Sequence, residues 1–149
     1  MASGVRDRDL GMARFLVAIQ DLERPRRMTV GVHEDDGAKD HPGHGKVIDV
    51  AAAQEFGTLH DPPKAFVRGA VDGNDVQAWL VRAGQRALRS AMYGTSDSGH
   101  VDRAFARVGD RLARAMRRLA PKDTGALREA IDSRLDGEDV PLEDPERGE

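Results

Sequence analysis

The chain has 149 residues, of which 39% are hydrophobic and 33% are charged, a balance typical of a soluble protein with one domain. It contains no cysteine, which excludes disulfide scaffolds, thiolate metal sites and thiol catalysis. No stretch reaches the roughly 20 apolar residues of a membrane-spanning helix, and no secretory signal pattern opens the chain, so we expect a cytosolic protein.

Aromatic residues are scarce, with four Phe, one Trp and one Tyr in the whole chain. The core must therefore depend on aliphatic side chains. Such a core is thin for an isolated globule, so burial against other subunits is a reasonable expectation.

The net charge of −3 is distributed unevenly. Residues 136–149 contain seven acidic residues and one arginine, a net charge of −6, so residues 1–135 carry +3. This last segment also has two prolines and few apolar residues, and it cannot fold by burial. We predict one domain over residues 1–135 and a disordered acidic tail over residues 136–149, serving either solubility or docking.

The first elements in chain order are a helix and a strand. Residues 10–22 predict an amphipathic helix that Pro25 ends. Its apolar positions at helical spacing are Met12, Phe15, Leu16, Ile19 and Leu22. From Arg27 to Glu34, apolar Met28, Val30 and Val32 alternate with Thr29, Gly31 and His33, which indicates a half-buried strand.

The next part of the chain is rich in loop signals. Residues 35–46 predict a polar loop, and residues 46–56 a short Ala-rich helix capped by Gly57. Pro62 and Pro63 then predict an extended segment over residues 64–68. Phe56 is expected to pack back as an anchor, and Glu55 to act as a cap or as a partner of another subunit.

The second half predicts two long helices. The first, capped by Asn74 or Asp75, runs to about Met92. Its inward positions are Val76, Trp79, Leu80, Ala83 and Ala87. After a turn at residues 94–100, residues 101–119 place apolar side chains in a 4-3-4-3-4 rhythm, the spacing of a helix packed against one neighbour. These positions are Val101, Phe105, Val108, Leu112, Ala115 and Leu119. Pro121 ends this helix, and Asp123 or Thr124 is expected to cap a last short one.

The sequence gives little support for a metal site or a catalytic site. Five histidines raise a metal hypothesis, but residues 33–44 form a Gly-rich loop without ligand spacing for zinc or calcium. No serine lies in a GxSxG motif or is paired with a histidine by the sequence. Glu55 and Asp61, beside His60, could act in acid–base catalysis, but capping or ion pairing explains them as well. We predict no enzyme activity, no metal and no cofactor.

One helix face is basic. The arginine stripe comprises Arg103, Arg107, Arg111, Arg114 and Arg118, which Arg117 and Lys122 extend. Such a stripe could neutralise phosphates. However, Asp102 and Asp110 are interspersed and no aromatic residues interleave, which favours a solvated or subunit-bridging face.

Three segments in a fixed order carry a family resemblance: RMTVGVHE, AAAQEFGTLHDPPKAFVRGAVDGN and APKDTGALREAI. Together they resemble the head–tail joining and tail-completion (neck) proteins of tailed bacteriophages, also called virion morphogenesis proteins. The likeness covers about residues 27–135. Lys64 and Ala65 depart from the arginine and proline usual in the second segment. The matching residues are Glu55, Phe56, Gly57, Thr58, Pro62, Pro63, Phe66, Asp123, Thr124, Gly125, Leu127 and Arg128.

This resemblance implies a single α+β domain, with a small, mainly antiparallel sheet packed against two or more long helices. It also implies a homo-oligomeric ring, six subunits being expected, that completes the tail and joins it to the head connector. The implied partners are head connector or adaptor proteins, the tail terminator or tube protein and, transiently, genomic DNA, without a membrane. Assembly would occur in the host cytoplasm, and the mature location would be the virion neck. The alternative is a small nucleic-acid-binding protein that uses the arginine stripe.

Overall fold

The computed structural model describes residues 10–93, 99–122, 125–136 and 138–139. Within these residues the chain forms seven helices and five short strands. In chain order they are α1 (Leu10–Glu23), β1 (Met28–Val32), α2 (Glu34–Gly37), β2 (Asp40–His41), β3 (Gly45–Lys46), α3 (Val47–Phe56), α4 (Phe66–Asp72), α5 (Val76–Tyr93), α6 (His100–Leu119), α7 (Ala126–Glu129), β4 (Ile131–Leu135) and β5 (Glu138–Asp139).

The main sheet is antiparallel, with strand order β1-β4-β5. In its register Val30 lies opposite Ser133, and one face packs on α6. A separate two-stranded ladder joins β2 to β3. The predicted α+β class, with a small antiparallel sheet against long helices in one domain, is confirmed.

The sheet continues beyond the predicted domain boundary at residue 135. β5 pairs with Arg134 and Leu135 of β4, and the backbone N–H of Asp136 donates to the carbonyl of Arg27. The first residues of the predicted tail therefore belong to the sheet. Residues 140–149 lie outside the described part of the chain, where the disorder prediction stays a prediction.

Helix α6 lies at the centre of the molecule, in contact with α4, α5, β1 and β4. The prediction of one neighbour was therefore wrong. Val101, Val108, Leu112 and Ala115 are buried as expected, but Leu119 is 50% exposed. Gly109, Ala113 and Met116 are buried as well, because α6 is enclosed over a wider face than a heptad requires.

Helix α1 packs on α5 through a narrower face than its apolar pattern predicts. Ala18 is buried, whereas Met12, Leu16 and Val17 are each more than half exposed. Part of the predicted inward face of α1 therefore points to solvent.

The two loop predictions need correction. Residues 35–46 are not one open loop, since they contain most of α2 and the β2–β3 ladder, and His41 is buried. Residues 64–68 are not extended, because α4 begins at Phe66. The predicted turn falls largely on residues 94–98, outside the described residues, as do Asp123 and Thr124.

The remaining helix predictions for residues 46–56 and 74–92 match α3 and α5. The backbone N–H of Ala78 donates to Asp75 Oδ1 at 2.9 Å, so Asp75 caps α5. Among the described helices, none combines the length and apolar character that crossing a membrane requires.

Candidate functional site

The loop between α3 and α4, residues 56–65, is the main candidate for an assembly contact, and we name it the knuckle. Both of its ends are tied to the last turns of α3. The N–H of Gly57 donates to the carbonyl of Ala53 at 2.8 Å, and that of Lys64 donates to the carbonyl of Gln54 at 2.7 Å. The loop therefore has a defined shape before any partner arrives.

A tight turn at Thr58 shapes the tip of the knuckle. The Thr58 N–H donates to the carbonyl of Asp61 at 2.9 Å, and its Oγ1 accepts from the N–H groups of His60 and Asp61. Gly57 has φ +82°, and a Cβ there would lie 2.9 Å from the backbone nitrogen of Pro63. Only glycine fits that position without strain, which explains the Glu-Phe-Gly-Thr unit physically.

Glu55 acts as a cap, but for the helix after the knuckle. Its carboxylate accepts the backbone N–H groups of Val67 at 2.8 Å and Arg68 at 3.2 Å, in the first turn of α4. The Arg68 Nε adds a bond of 3.0 Å to the same carboxylate. Burial raises the pKa of Glu55, but these hydrogen bonds outweigh it, so the pKa lies below its ordinary value.

The two aromatic residues of this region have opposite environments. Phe66 is 2% exposed and is the anchor in the core. Phe56 is 74% exposed, so the prediction that it packs back was wrong; the Arg68 guanidinium lies 6.0 Å from its ring centroid. Leu59, which the sequence did not single out, is 99% exposed at the tip. The knuckle thus presents two large apolar side chains to solvent, beside exposed Pro62 and Pro63.

The described residues of the last motif act within the chain. Gly125 has φ +82° at the start of α7, and Leu127 is buried in the core. Arg128 donates through Nε and Nη2 to the carbonyl of Ala120, at 2.9 and 2.6 Å, and so closes the C-terminal end of α6. Leu127 and Arg128 thus support the fold.

The arginine stripe does not act as one surface. Arg114 is ion-paired with buried Asp110 at 2.7 Å, and Arg118 Nε donates to the carbonyl of Arg114. Arg118 also lines an open hollow at the C-terminal end of α6, together with Arg117 and Arg128. Arg107 and Arg111 instead face α5 across a separate cavity.

The structure also pairs hydroxyls with histidines, which the sequence did not indicate. Ser90 Oγ lies 3.0 Å from His100 Nδ1. Thr29 Oγ1 lies 2.9 Å from His33 Nε2, and His33 Nδ1 is hydrogen-bonded to Asp132. Thr29, His33 and Asp132 therefore have the hydrogen-bond connectivity of a nucleophilic triad.

A triad also needs a cleft and donors for a developing oxyanion. Thr29 lies within a strand of the sheet, and it lines neither the open hollow at the C-terminal end of α6 nor the cavity between α5 and α6. Asp132 lies opposite Gly31 in the register, on the neighbouring strand. We therefore interpret this network as a polar link that holds β1 to β4.

Glu55 is poorly placed to act as the general base that the hypothesis of acid–base catalysis at the knuckle requires. Glu55 is 7% exposed and its carboxylate already accepts three hydrogen bonds, whereas His60 and Asp61 are exposed. Within the described residues, no group of three or more His, Asp or Glu side chains is arranged to hold a metal ion.

Among known proteins, this chain finds no match to a family model, to a curated protein or to a solved structure.

Proposed function

We propose that this chain is a structural virion protein of a tailed bacteriophage. In this role it completes the top of the tail and joins it to the head connector, as a homo-oligomeric ring around the DNA channel. The proposal draws on the three ordered sequence segments and, above all, on the preformed knuckle that one of them builds.

The knuckle supports a role in assembly because its apolar tip is both exposed and held in place. Large exposed side chains such as Phe56 and Leu59 lose entropy on binding, and a loop fixed by its own hydrogen bonds lowers that cost. Aromatic and aliphatic anchors of this kind dominate the energetics of protein interfaces.

A closed ring requires two different surfaces on each subunit. The knuckle offers one. The exposed apolar residues of α1, namely Met12, Leu16 and Val17, offer a second on a different element. We assign the knuckle and this face of α1 as the two complementary surfaces of the proposed ring.

The test uses the phage that carries the gene, with the gene inactivated and supplied in trans. We expect wild-type protein to be found in purified virions by mass spectrometry and to restore joined particles, counted by negative-stain microscopy. The double variant Phe56→Ser/Leu59→Ser should lower the joined fraction about tenfold or more, since lost anchors cost about 1–3 kcal/mol and 1.4 kcal/mol is a factor of ten.

The matched control is Val81→Ser, which removes an apolar side chain 54% exposed on α5. It should behave like wild type, and all three proteins should unfold at similar temperatures, because exposed side chains contribute little to stability. If the protein is absent from virions and heads join tails without the gene, the proposed function is wrong.

A further inference from the structure

The open hollow at the C-terminal end of α6 is lined by charged side chains from two helices. Arg117 and Arg118 belong to the last turn of α6, and Arg128 and Glu129 belong to α7. The hollow has a volume of about 480 Å³ and is open to solvent. We call it the arginine hollow. Three positive charges and one negative charge meet at its surface.

Two of the three guanidinium groups are fixed by backbone carbonyls. Arg117 Nε donates to the carbonyl of Ile131 at 2.7 Å. Arg128 donates through Nε and Nη2 to the carbonyl of Ala120, at 2.9 and 2.6 Å. A neutral carbonyl orients a guanidinium group but does not cancel its charge. Within the described part of the chain, neither arginine is ion-paired with a carboxylate.

The third guanidinium group, that of Arg118, is held more loosely. Arg118 is exposed, and its Nε lies 3.4 Å from the carbonyl of Arg114, a long hydrogen bond. Each arginine carries five N–H donors, so the three side chains keep most of their donors for a ligand. Two positioned guanidinium groups and one adjustable one therefore surround the same open space.

The hollow stays positively charged after the opposing charges are counted. Glu129 contributes one negative charge. The C-terminal end of a helix such as α6 carries a further partial charge of about −0.5. Against the three arginines, a net charge of roughly +1.5 remains. An anion is therefore attracted to the hollow, although it lies at the end of a helix that by itself repels anions.

From these observations we propose that the arginine hollow binds a phosphate group. A phosphate group carries a charge of about −1.5 to −2 at pH 7 and presents three strong acceptor oxygens. Three guanidinium groups around one hollow match such a group in both charge and number of acceptors. A carboxylate has one charge and two oxygens, which a single arginine satisfies.

The composition of the lining also favours phosphate over an acidic peptide. Stable peptide docking uses large apolar or aromatic anchors. All the described residues that line the hollow are charged, namely Arg117, Arg118, Arg128 and Glu129. The lining thus suits a ligand held by charge and hydrogen bonds. A small phosphorylated molecule and the backbone of a nucleic acid are the two sources of such a phosphate group.

The first experiment titrates the full chain with inorganic phosphate at neutral pH and constant ionic strength, with binding followed by calorimetry. We expect a dissociation constant of about 0.1–10 mM, because ion pairs at an open site are individually weak. Arg118→Gln should weaken binding about three- to tenfold, since it removes one charge and its donors. Glu129→Gln should strengthen binding about two- to fivefold, since it removes the opposing charge.

The matched control is Arg14→Gln, which makes the same change in net charge as Arg118→Gln at an exposed arginine of α1, outside the hollow. It should bind phosphate like wild type. All three variants should unfold at temperatures close to that of wild type, because Arg14, Arg118 and Glu129 are exposed.

A fluorescent DNA duplex of arbitrary sequence distinguishes the two sources of the phosphate group. Duplex binding that is weakened by Arg118→Gln and displaced by inorganic phosphate identifies nucleic acid as a source. Phosphate binding without duplex binding identifies a small phosphorylated molecule. Both results support the phosphate site.

The proposal is overturned if neither phosphate nor duplex binds in a way that depends on Arg118. It is equally overturned if Arg14→Gln weakens binding as much as Arg118→Gln, if acetate binds as tightly as phosphate, or if a polyglutamate peptide binds and phosphate does not displace it. The inference does not rest on the tail-completion role, since the isolated chain is tested and virion assembly is not.

Discussion

Glu55 is a buried carboxylate that stays ionised because of where its hydrogen bonds come from. Two backbone N–H groups at the start of α4 and the Arg68 side chain surround it. Ala65, just before α4, has φ +39°, a conformation unusual for a residue with a Cβ. The cap and this strained residue together start α4 where the two prolines predict an extended chain.

The first prediction concerns this cap. Since the folded pKa of Glu55 is lowered, its contribution to stability is present above the unfolded pKa of about 4.3 and is lost as pH falls through the folded pKa. Glu55→Gln should therefore lower the free energy of unfolding by about 1–3 kcal/mol at pH 7. Denaturant unfolding should show this difference shrinking below pH of about 4.

The matched control is Asp61→Asn, which changes an exposed carboxyl group in the same loop. It should alter stability by no more than about 0.5 kcal/mol. If Glu55→Gln lowers the free energy of unfolding equally at pH 7 and pH 3, the role of Glu55 depends on the shape of its side chain and not on its charge.

Among the secondary-structure elements, the contact of α6 with the sheet depends on one small residue. A Cβ on Gly109 would lie 2.8 Å from Met28 Sδ and 3.1 Å from Ser133 Cβ. Met28 could move, but Ser133 Cβ is fixed by β4, and Ser133 is fully buried. The absence of a side chain at Gly109 lets the helix lie directly on β1 and β4.

The second prediction compares two helical glycines. Gly109→Ala should lower the free energy of unfolding by about 1–3 kcal/mol, because overpacking outweighs the gain in helix propensity. Gly84→Ala on α5 should raise it by about 0.5–1 kcal/mol, since a Cβ there meets no atom within 4 Å. Denaturant unfolding measures both; stabilisation by both substitutions would contradict the close contact at Gly109.

Across the whole molecule, charge is segregated by sign. The predicted tail carries a net charge of −6, while Arg82, Arg86, Arg107 and Arg111 line one cavity between α5 and α6. Acidic residues tethered to the same chain repel a polyanion that approaches this cavity, and this repulsion weakens with salt. The overall charge of −3 therefore conceals a basic surface.

The third prediction follows from this segregation. Residues 140–149 carry four acids and one arginine, so their removal takes the net charge from −3 to zero. Duplex DNA should then bind more tightly at 50 mM salt, by about three- to tenfold, and the gain should vanish near 1 M salt, where the screening length is about 3 Å.

A tail of unchanged length, with Glu143→Gln, Asp144→Asn and Glu146→Gln, makes the same net change in charge. It should reproduce the gain, which separates charge from length. Weaker DNA binding after the deletion would show that the tail contributes contacts to the nucleic acid and does not repel it.

Local pattern was enough to predict much of the fold. Helical periodicity indicated α1, α5 and α6, and alternation indicated β1. Alanine content indicated α3, and Gly57 was correctly predicted as its end. Such signals depend on neighbours within a few residues along the chain, so they are readable from sequence. The sequence motif located the knuckle. It did not predict that Phe56 and Leu59 point to solvent.

The features that only the tertiary structure decided involve residues that lie far apart in the sequence. Glu55 caps a helix 12 residues away, and Arg82 and Arg86 meet Arg107 and Arg111 only because α5 packs against α6. The sequence by itself determined the class of fold, the helices α1, α3, α5 and α6, and the separation of charge along the chain. Packing decided which charges face each other and which apolar side chains stay exposed, because those outcomes are set by contacts between elements and not by periodicity within them.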